Sequence, residues 1–344
     1  MKNFTYHRPA TIAAALPLLD QEWGKTELLA GGTDLLDRQK DYVSQPDKVV
    51  SLTGLGGAFR EIRAFPPPGN FPPSVVIGAG VRLADIAESG LLKSFPALVS
   101  AAAQIAGPQI RNMGTLGGSL CQRNRCWYFR DEHVNCLLKG GRKCFAQEGE
   151  NHYHAIFTQG HPCVIVHPST LAPPLIALQA TAEVEGPKGK RTVAVEKLYQ
   201  APVKETQREH TLAPNEILAS VTIPVTEPQF AAFRNASYEV KQKEAIDWPL
   251  VQASVAYHVP QGGKAATGVR VVLGHVAPTP LLSEAAAKAL EGKEVTEKTA
   301  EAAGEAAVEG ARPLSQNAYK VQLLKVAVKR AVLLAAGVKP YWEG

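Results

Sequence analysis

Residues 26–41 read TELLAGGTDLLDRQKD. A short apolar run suited to a strand meets two consecutive glycines, Gly31 and Gly32, and continues into an amphipathic stretch suited to a helix. With no Cβ at the turn, backbone N–H groups can approach a ligand closely, an arrangement that suits phosphate. A second loop of the same kind is IRNMGTLGGSL at 110–120, where Gly114, Gly117 and Gly118 alternate with the hydroxyls of Thr115 and Ser119. Two such loops suit a diphosphate held from both sides, although any glycine pair also serves as a tight turn. The Rossmann fingerprint does not fit: the nearest string, GAGVRLAD from Gly78, has Leu83 where the third glycine belongs.

Around these loops the chain alternates strand and helix signals. TIAAALPLLDQ (11–21) is helical in period, DKVVSLTGL (47–55) and PSVVIGAGVRLADIAES (73–89) run from strand into turn, and FPPPGNFPPS (65–74) is a Pro-rich loop. FPALVSAAAQIAGPQIRN (95–112) reads as a helix stopped near Gly107-Pro108. PPLIALQATAEVEGPKGKRTVAVEKLY (173–199) is a helix followed by a hairpin that turns at GPKGK. The texture changes near PVTEPQFAAF (224–233), after which strands at 236–259 and 268–276 precede three Ala-rich helices, a separate α+β unit. There is no internal repeat.

At 344 residues the chain is long enough to bury real cores without disulfides. Its net charge of +5 is spread along the sequence with no dense Lys/Arg block, so nucleic acid is not implied. No apolar run approaches the ~18 residues of a membrane span, and the N-terminus lacks the pattern of a leader. By its own signals the expected compartment is the cytoplasm.

Sulfur is the anomaly. Four of five cysteines fall within CQRNRCWYFRDEHVNCLLKGGRKC (121–144), and Cys163 follows shortly after. Disulfide frameworks scatter cysteines through small secreted domains, so this clustering points to a metal.

Taken in order, AGGTDL (30–35), IRNMGTLGGSL (110–120), HPSTLAPPLIAL (167–178) and GHVAPTP (274–280) resemble the FAD-binding medium subunit of the xanthine dehydrogenase family of molybdenum hydroxylases. The resemblance covers nearly the whole chain. It implies an α+β fold like vanillyl-alcohol oxidase: a first FAD-binding subdomain at 1–57, a second at 58–226, and a C-terminal α+β domain of the CO-dehydrogenase-flavoprotein type at 227–344.

Carried over residue by residue, the resemblance implies that Ala30, Gly31, Gly32, Thr33, Asp34 and Leu35 wrap the FAD diphosphate, mainly by backbone N–H groups. Thr115, Gly117, Gly118 and Ser119 hold its other side. A Cβ at Gly32 is expected to intrude where those N–H groups meet the diphosphate. Relatives commonly carry Ser-Asp where this chain has Ser169 and Thr170, so one carboxylate contact to the flavin is missing. Glu239 stands at a position where relatives often have a flavin-facing lysine, and Lys241, two residues on along the same strand face, is the candidate substitute. The alternative for Lys241 is a solvated surface charge.

The stretch of about forty residues between the second loop and HPST, placed at about 122–163, resembles an insertion in the flavin subunits of 4-hydroxybenzoyl-CoA reductase and periplasmic aldehyde oxidoreductase, where it carries a 4Fe-4S cluster. A cubane takes four thiolates. The implied ligands are Cys126, Cys136, Cys144 and Cys163, spaced C-x9-C-x7-C-x18-C, with Cys121 a small buried hydrophobe. Zinc remains the alternative, alone on sulfur or with His133, His152, His154 or His161, although structural zinc sites usually bring close C-x2-4-C pairs. Trp127, Tyr128 and Phe129 are expected to exclude water from the sulfurs. Arg123, Arg125, Arg130, Lys139, Arg142 and Lys143 surround them with positive charge.

No nucleophile and base stand in a recognisable arrangement, so no catalytic residue is assigned and cofactors are expected to carry the chemistry. The resemblance implies a heterotrimer. Substrate reacts in a molybdenum-cofactor large subunit, a 2Fe-2S small subunit relays electrons, and this chain hands them to a one-electron carrier such as ferredoxin. The Q-R-x-R-C lead-in of QRNRCWYF (122–129) is closer to the aldehyde oxidoreductase version. A reductase with reversed electron flow, a self-sufficient flavin oxidase and a zinc-stabilised structural subunit are the competing readings. A signal-bearing partner could also carry the assembly to the periplasm.

Overall fold

Three sheets, one after another along the chain, carry the architecture of the computed structural model, which describes residues 1–65, 74–225, 233–243 and 246–339. In the first, β1 (Thr5–His7), β2 (Thr26–Leu29) and β3 (Lys48–Ser51) run parallel in the order β1-β3-β2. Parallel neighbours need crossovers. The first contains the short helix Ile12–Ala15, capped by Thr11 Oγ1. The second contains the glycine pair and the helix Leu35–Lys40, so the first loop lies at the carboxyl end of β2, where open parallel sheets take their ligands.

The second sheet is antiparallel, with β4 (Ile62–Phe65), β5 (Ser74–Gly78), β6 (Thr181–Gly186), β7 (Gly189–Ala194) and β8 (Ile217–Pro224) in the order β4-β5-β8-β6-β7. The expected hairpin is β6–β7, with Gly186 opposite Gly189 across its turn. The run at 95–112 forms two helices, Pro96–Gln104 and Pro108–Met113, each with its proline at a first helical position; the first ends before the left-handed Ala106, and Gly107 is the N-cap of the second. These join Leu83–Glu88, Leu116–Cys121 and Ala172–Ala177. Helices this short are marginal alone. They hold because Leu98, Leu116, Leu120, Leu175 and Ile176 share one buried core with Ile77, Val184, Val221 and Ile223 of the sheet, each buried side chain contributing about 1.5–3 kcal/mol.

The third sheet, β9 (Phe233–Val240), β10 (Val251–His258), β11 (Thr267–Gly274) and β12 (Leu281–Leu282), is antiparallel in the order β12-β11-β10-β9. Strand alternation gives β10 two roles. Val251, Ala253, Val255 and Tyr257 belong to the core shared with helices Glu284–Leu290, Glu297–Ala307 and Tyr319–Ala335, whereas Ala256 packs into the core of the second sheet. The division expected at 57/58 falls in the turn Gly57–Arg60 between the first two sheets. That expected at 226/227 and most of the Pro-rich loop at 65–74 lie outside the described residues.

From Gln122 onward the chain leaves regular structure, keeping only the helix Trp127–Arg130 and the turn Leu137–Lys139 before HPST. This insertion has a small core of its own around Phe129, Cys136, Leu138, Cys163 and Ile165. Buried amides tie it down on both sides. Asn124 donates from its backbone and side-chain nitrogens to Glu209 Oε1 at 3.1 and 2.7 Å, and Asn317 donates to the carbonyls of His154 and Ala155 at 3.1 and 3.2 Å. Among the described residues no helix is long and apolar enough to cross a membrane.

Candidate cofactor site

The two glycine loops meet backbone to backbone. Gly31 lies against the carbonyl of Met113, while Gly32 takes φ +79°, a left-handed conformation that favours glycine. A Cβ on Gly32 would stand 2.9 Å from Leu36 of the following helix, whereas one on Gly31 would overlap the Met113 carbonyl, so within the protein itself position 31 is the more tightly closed. Thr115 Oγ1 accepts the Gly118 N–H at 3.1 Å and starts the helix Leu116–Cys121. Gly117 fits closely on Ala79, where a Cβ would stand 3.0 Å from the alanine methyl.

Between the loops opens a cleft of about 410 Å³. Ala30, Gly31, Gly32, Thr33, Asp34, Leu35, Thr115, Gly117, Gly118, Ser119, Thr170 and Lys241 all line it. Ser169 stands behind the wall, buried, with its Oγ 3.1 Å from Ser119 Oγ. Trp23, Cys121, Arg125, His210 and Trp248 line the cleft as well, and no local motif announced them in that role.

Asp34 is the electrostatic hub of one wall. Its carboxylate meets Arg130 at 2.6 Å, Arg125 at 3.1 Å and Arg38 at 3.2 Å, and accepts the backbone N–H of Arg123 at 3.2 Å. These arginines outweigh burial and hold its carboxyl well below the usual range. Around it, Arg38, Arg123, Arg125, Arg130 and Arg208 face Glu27, Asp34, Asp37 and Glu209. Asp34 therefore ties the first glycine loop to the insertion.

Lys241 is no solvated charge. Its ammonium pairs with Glu239 at 3.0 Å, both side chains nearly inaccessible, and donates to the Gln104 carbonyl. Burial outweighs the lysine and raises the Glu239 carboxyl to about 7. Across the cleft, Thr170 Oγ1 lies 3.4 Å from Nε2 of the buried His275, which holds φ +61°. Beneath it, Lys320 is fully buried with its ammonium on three carbonyls, those of His275 (2.7 Å), His154 (3.1 Å) and Tyr153 (3.3 Å). Burial alone lowers its pKa to about 7.

The cysteines separate into four and one. Cys126, Cys136 and Cys163 share the small core of the insertion, and the Cys144 and Cys163 sulfurs are hydrogen-bonded, which lowers the Cys144 thiol and raises that of Cys163. Burial raises the Cys126 thiol to about 12 and raises that of Cys136, with neighbouring backbone N–H groups working against it. Cys121 packs against the core of the second sheet, and burial alone pushes its thiol up to about 12 as well.

His154 Nε2 lies 3.1 Å from Cys126 Sγ, the imidazole kept neutral by burial and the nearby Lys320. Trp127 stands edge-on to His154 and Tyr153, and Tyr128 stacks on Phe145, so aromatic rings do enclose this side. Among the described residues no three His, Cys, Asp or Glu side chains converge as ligands of a single metal ion.

Residues 2–226 match the family described as the FAD binding domain in molybdopterin dehydrogenase, and residues 236–335 match the CO dehydrogenase flavoprotein C-terminal domain. The chain is an FAD-binding medium subunit of the xanthine dehydrogenase and CO dehydrogenase family. The medium subunit is 32% identical to the aldehyde oxidoreductase FAD-binding subunit PaoB of Escherichia coli (strain K12), over 94% of this chain and 96% of that one. It is 28% identical to the carbon monoxide dehydrogenase medium chain of Hydrogenophaga pseudoflava, over 96% of each. The solved carbon monoxide dehydrogenase from that organism superposes with a TM-score of 0.73, covering 98% of each chain at 28% identity. Like these relatives, the medium subunit is the flavin component of an oxidoreductase complex.

The part of this subunit best suited to the FAD diphosphate is the backbone of the first glycine loop, Ala30 to Leu35, which lines the cleft; in the second loop the N–H groups of Gly117, Gly118 and Ser119 are taken by Ala79 O, Thr115 Oγ1 and Thr115 O, so that loop offers its surface and the Ser119 side chain. Arg125 and Trp248 come from the insertion and from the segment after β9, and stack on each other at 4.7 Å. The only sequence signal for Arg125 was membership of a basic run beside the cysteines.

Proposed function

We propose that the medium subunit is an electron-transfer component carrying two redox groups, FAD in the cleft and a 4Fe-4S cluster on Cys126, Cys136, Cys144 and Cys163. In this reading it serves a heterotrimer of the aldehyde oxidoreductase type. A molybdenum-cofactor large subunit transforms the substrate, a 2Fe-2S small subunit delivers electrons, and the medium subunit passes them to a one-electron carrier such as ferredoxin. FAD, when bound, exchanges electrons singly or in pairs and so joins the two kinds of carrier.

The observation that carries the cluster is the contrast among the thiols. Cys126, Cys136 and Cys163 share the small core of the insertion with Cys144 against Cys163, while Cys121 stands apart, packed on the core of the second sheet and lining the cleft. Each cysteinate of a cubane binds a different iron. The insertion supplies the four thiolates this needs, and these four lack the close C-x2-4-C pairs usual in structural zinc sites. The aldehyde class is supported by the relative PaoB.

The test is the purified complex itself. Flavin and metal analysis should return one FAD and four irons beyond those of the 2Fe-2S subunit, with a broad visible absorption that bleaches on reduction. Zinc in place of that iron would sink the cluster, and absence of flavin would sink the cleft assignment.

A further inference from the structure

Arg125 directly precedes Cys126, yet its side chain lines the flavin cleft. It is fixed there by Asp34 at 3.1 Å, Asp37 and Gln122 at 3.3 Å, and by the face of Trp248. Two features are left unbalanced. Its Nε–H is buried without an acceptor. Among the described residues, the five arginines of this wall pair with four carboxylates, Glu27, Asp34, Asp37 and Glu209. A donor without an acceptor and an excess of guanidinium over carboxylate, beside a cleft lined by the first glycine loop, are together complementary to a dianion.

We infer that Arg125 donates to the diphosphate of the bound dinucleotide, so that the cysteine-bearing insertion also completes the flavin site. This rests on the cleft being the FAD site. Arg125 then holds three things in one place: the first glycine loop through Asp34, the segment after β9 through Trp248, and the cofactor.

The experiment compares FAD with riboflavin, which lacks the diphosphate, as probes on the deflavinated complex, with binding followed by flavin fluorescence. Arg125→Met should weaken FAD by about tenfold to a hundredfold, the range of one charge-assisted hydrogen bond, while riboflavin affinity and iron content stay as in the wild type. Unchanged FAD affinity overturns the inference. So does equal weakening of both flavins, which would make Arg125 a brace of the wall. If the methionine variant fails to assemble, Arg125→Gln, which keeps a polar side chain against Asp34, carries the same comparison. A wild-type complex that binds FAD no better than riboflavin would refute the diphosphate reading of the cleft itself, a failure visible without any variant.

Discussion

Gly31 and Met113 touch through their backbones: a Cβ built on Gly31 would stand 1.9 Å from the Met113 carbonyl oxygen. Loops some eighty residues apart in sequence are thus pressed together at the point where the cleft forms. Gly31→Ala must part them, because a carbonyl cannot yield as a flexible side chain can. We expect loss of bound flavin and a lowered melting temperature. Gly32→Ala should cost only the strain of a left-handed alanine, about 1–2 kcal/mol, since its Cβ meets the movable end of Leu36. Flavin content and thermal melts of the two variants check the order, and a reversal would mean the loops do not meet at Gly31.

Serine at each cysteine separates ligand from filler. Cys126→Ser, Cys136→Ser, Cys144→Ser and Cys163→Ser should each remove most of the cluster iron, while Cys121→Ser should keep it at a modest cost in stability, since that thiol belongs to the apolar core. Iron counting decides. Retention in Cys163→Ser with loss in Cys121→Ser would make Cys121 the fourth ligand.

Asp34→Asn leaves Arg38, Arg125 and Arg130 without their shared counter-charge, and breaking such a buried network typically costs about 3–5 kcal/mol. A carboxyl whose folded pKa is depressed contributes stability that is present above its ordinary value and lost as pH falls below it. The gap between wild type and variant should therefore be full at pH 7 and shrink in acid below about pH 4. Urea melts at the two pH values measure it, and a gap that persists unchanged in acid would show that Asp34 acts through something other than its charge.

Lys320 works in the opposite sense. With its pKa lowered to about 7 by burial, the folded state holds less proton than the unfolded chain between about pH 7 and the ordinary lysine value of about 10.4. Wild-type stability from this group should rise with pH across that window. Lys320→Met should flatten the rise. Parallel denaturation curves of the two proteins between pH 7 and 10 would contradict the buried-ammonium account.

The periods of the helices and strands were legible wherever one face of an element meets a core, as in the β6–β7 hairpin and the three C-terminal helices. The break at Gly107-Pro108 was legible as a stop but not as a restart, since Pro108 suits a first helical turn as well as an end. The burial of Lys241, which removes the solvated alternative, depends on Gln104 and on the packing of β9, neither of which leaves a mark near position 241.

By itself the sequence determined the two glycine loops, the order of strands and helices, and the gathering of sulfur into one insertion, because backbone geometry and hydrophobic period are local properties written in neighbouring residues. Only the tertiary structure decided that Asp34 turns to the insertion, that Arg125 lines the flavin cleft, and that Cys121 stands apart from the other four thiols. Those outcomes rest on contacts between side chains up to about a hundred residues apart, as Asp34 and Arg130 are. Such contacts form where chain segments are brought together by burying their apolar faces, and nothing in the local pattern of either partner records the meeting.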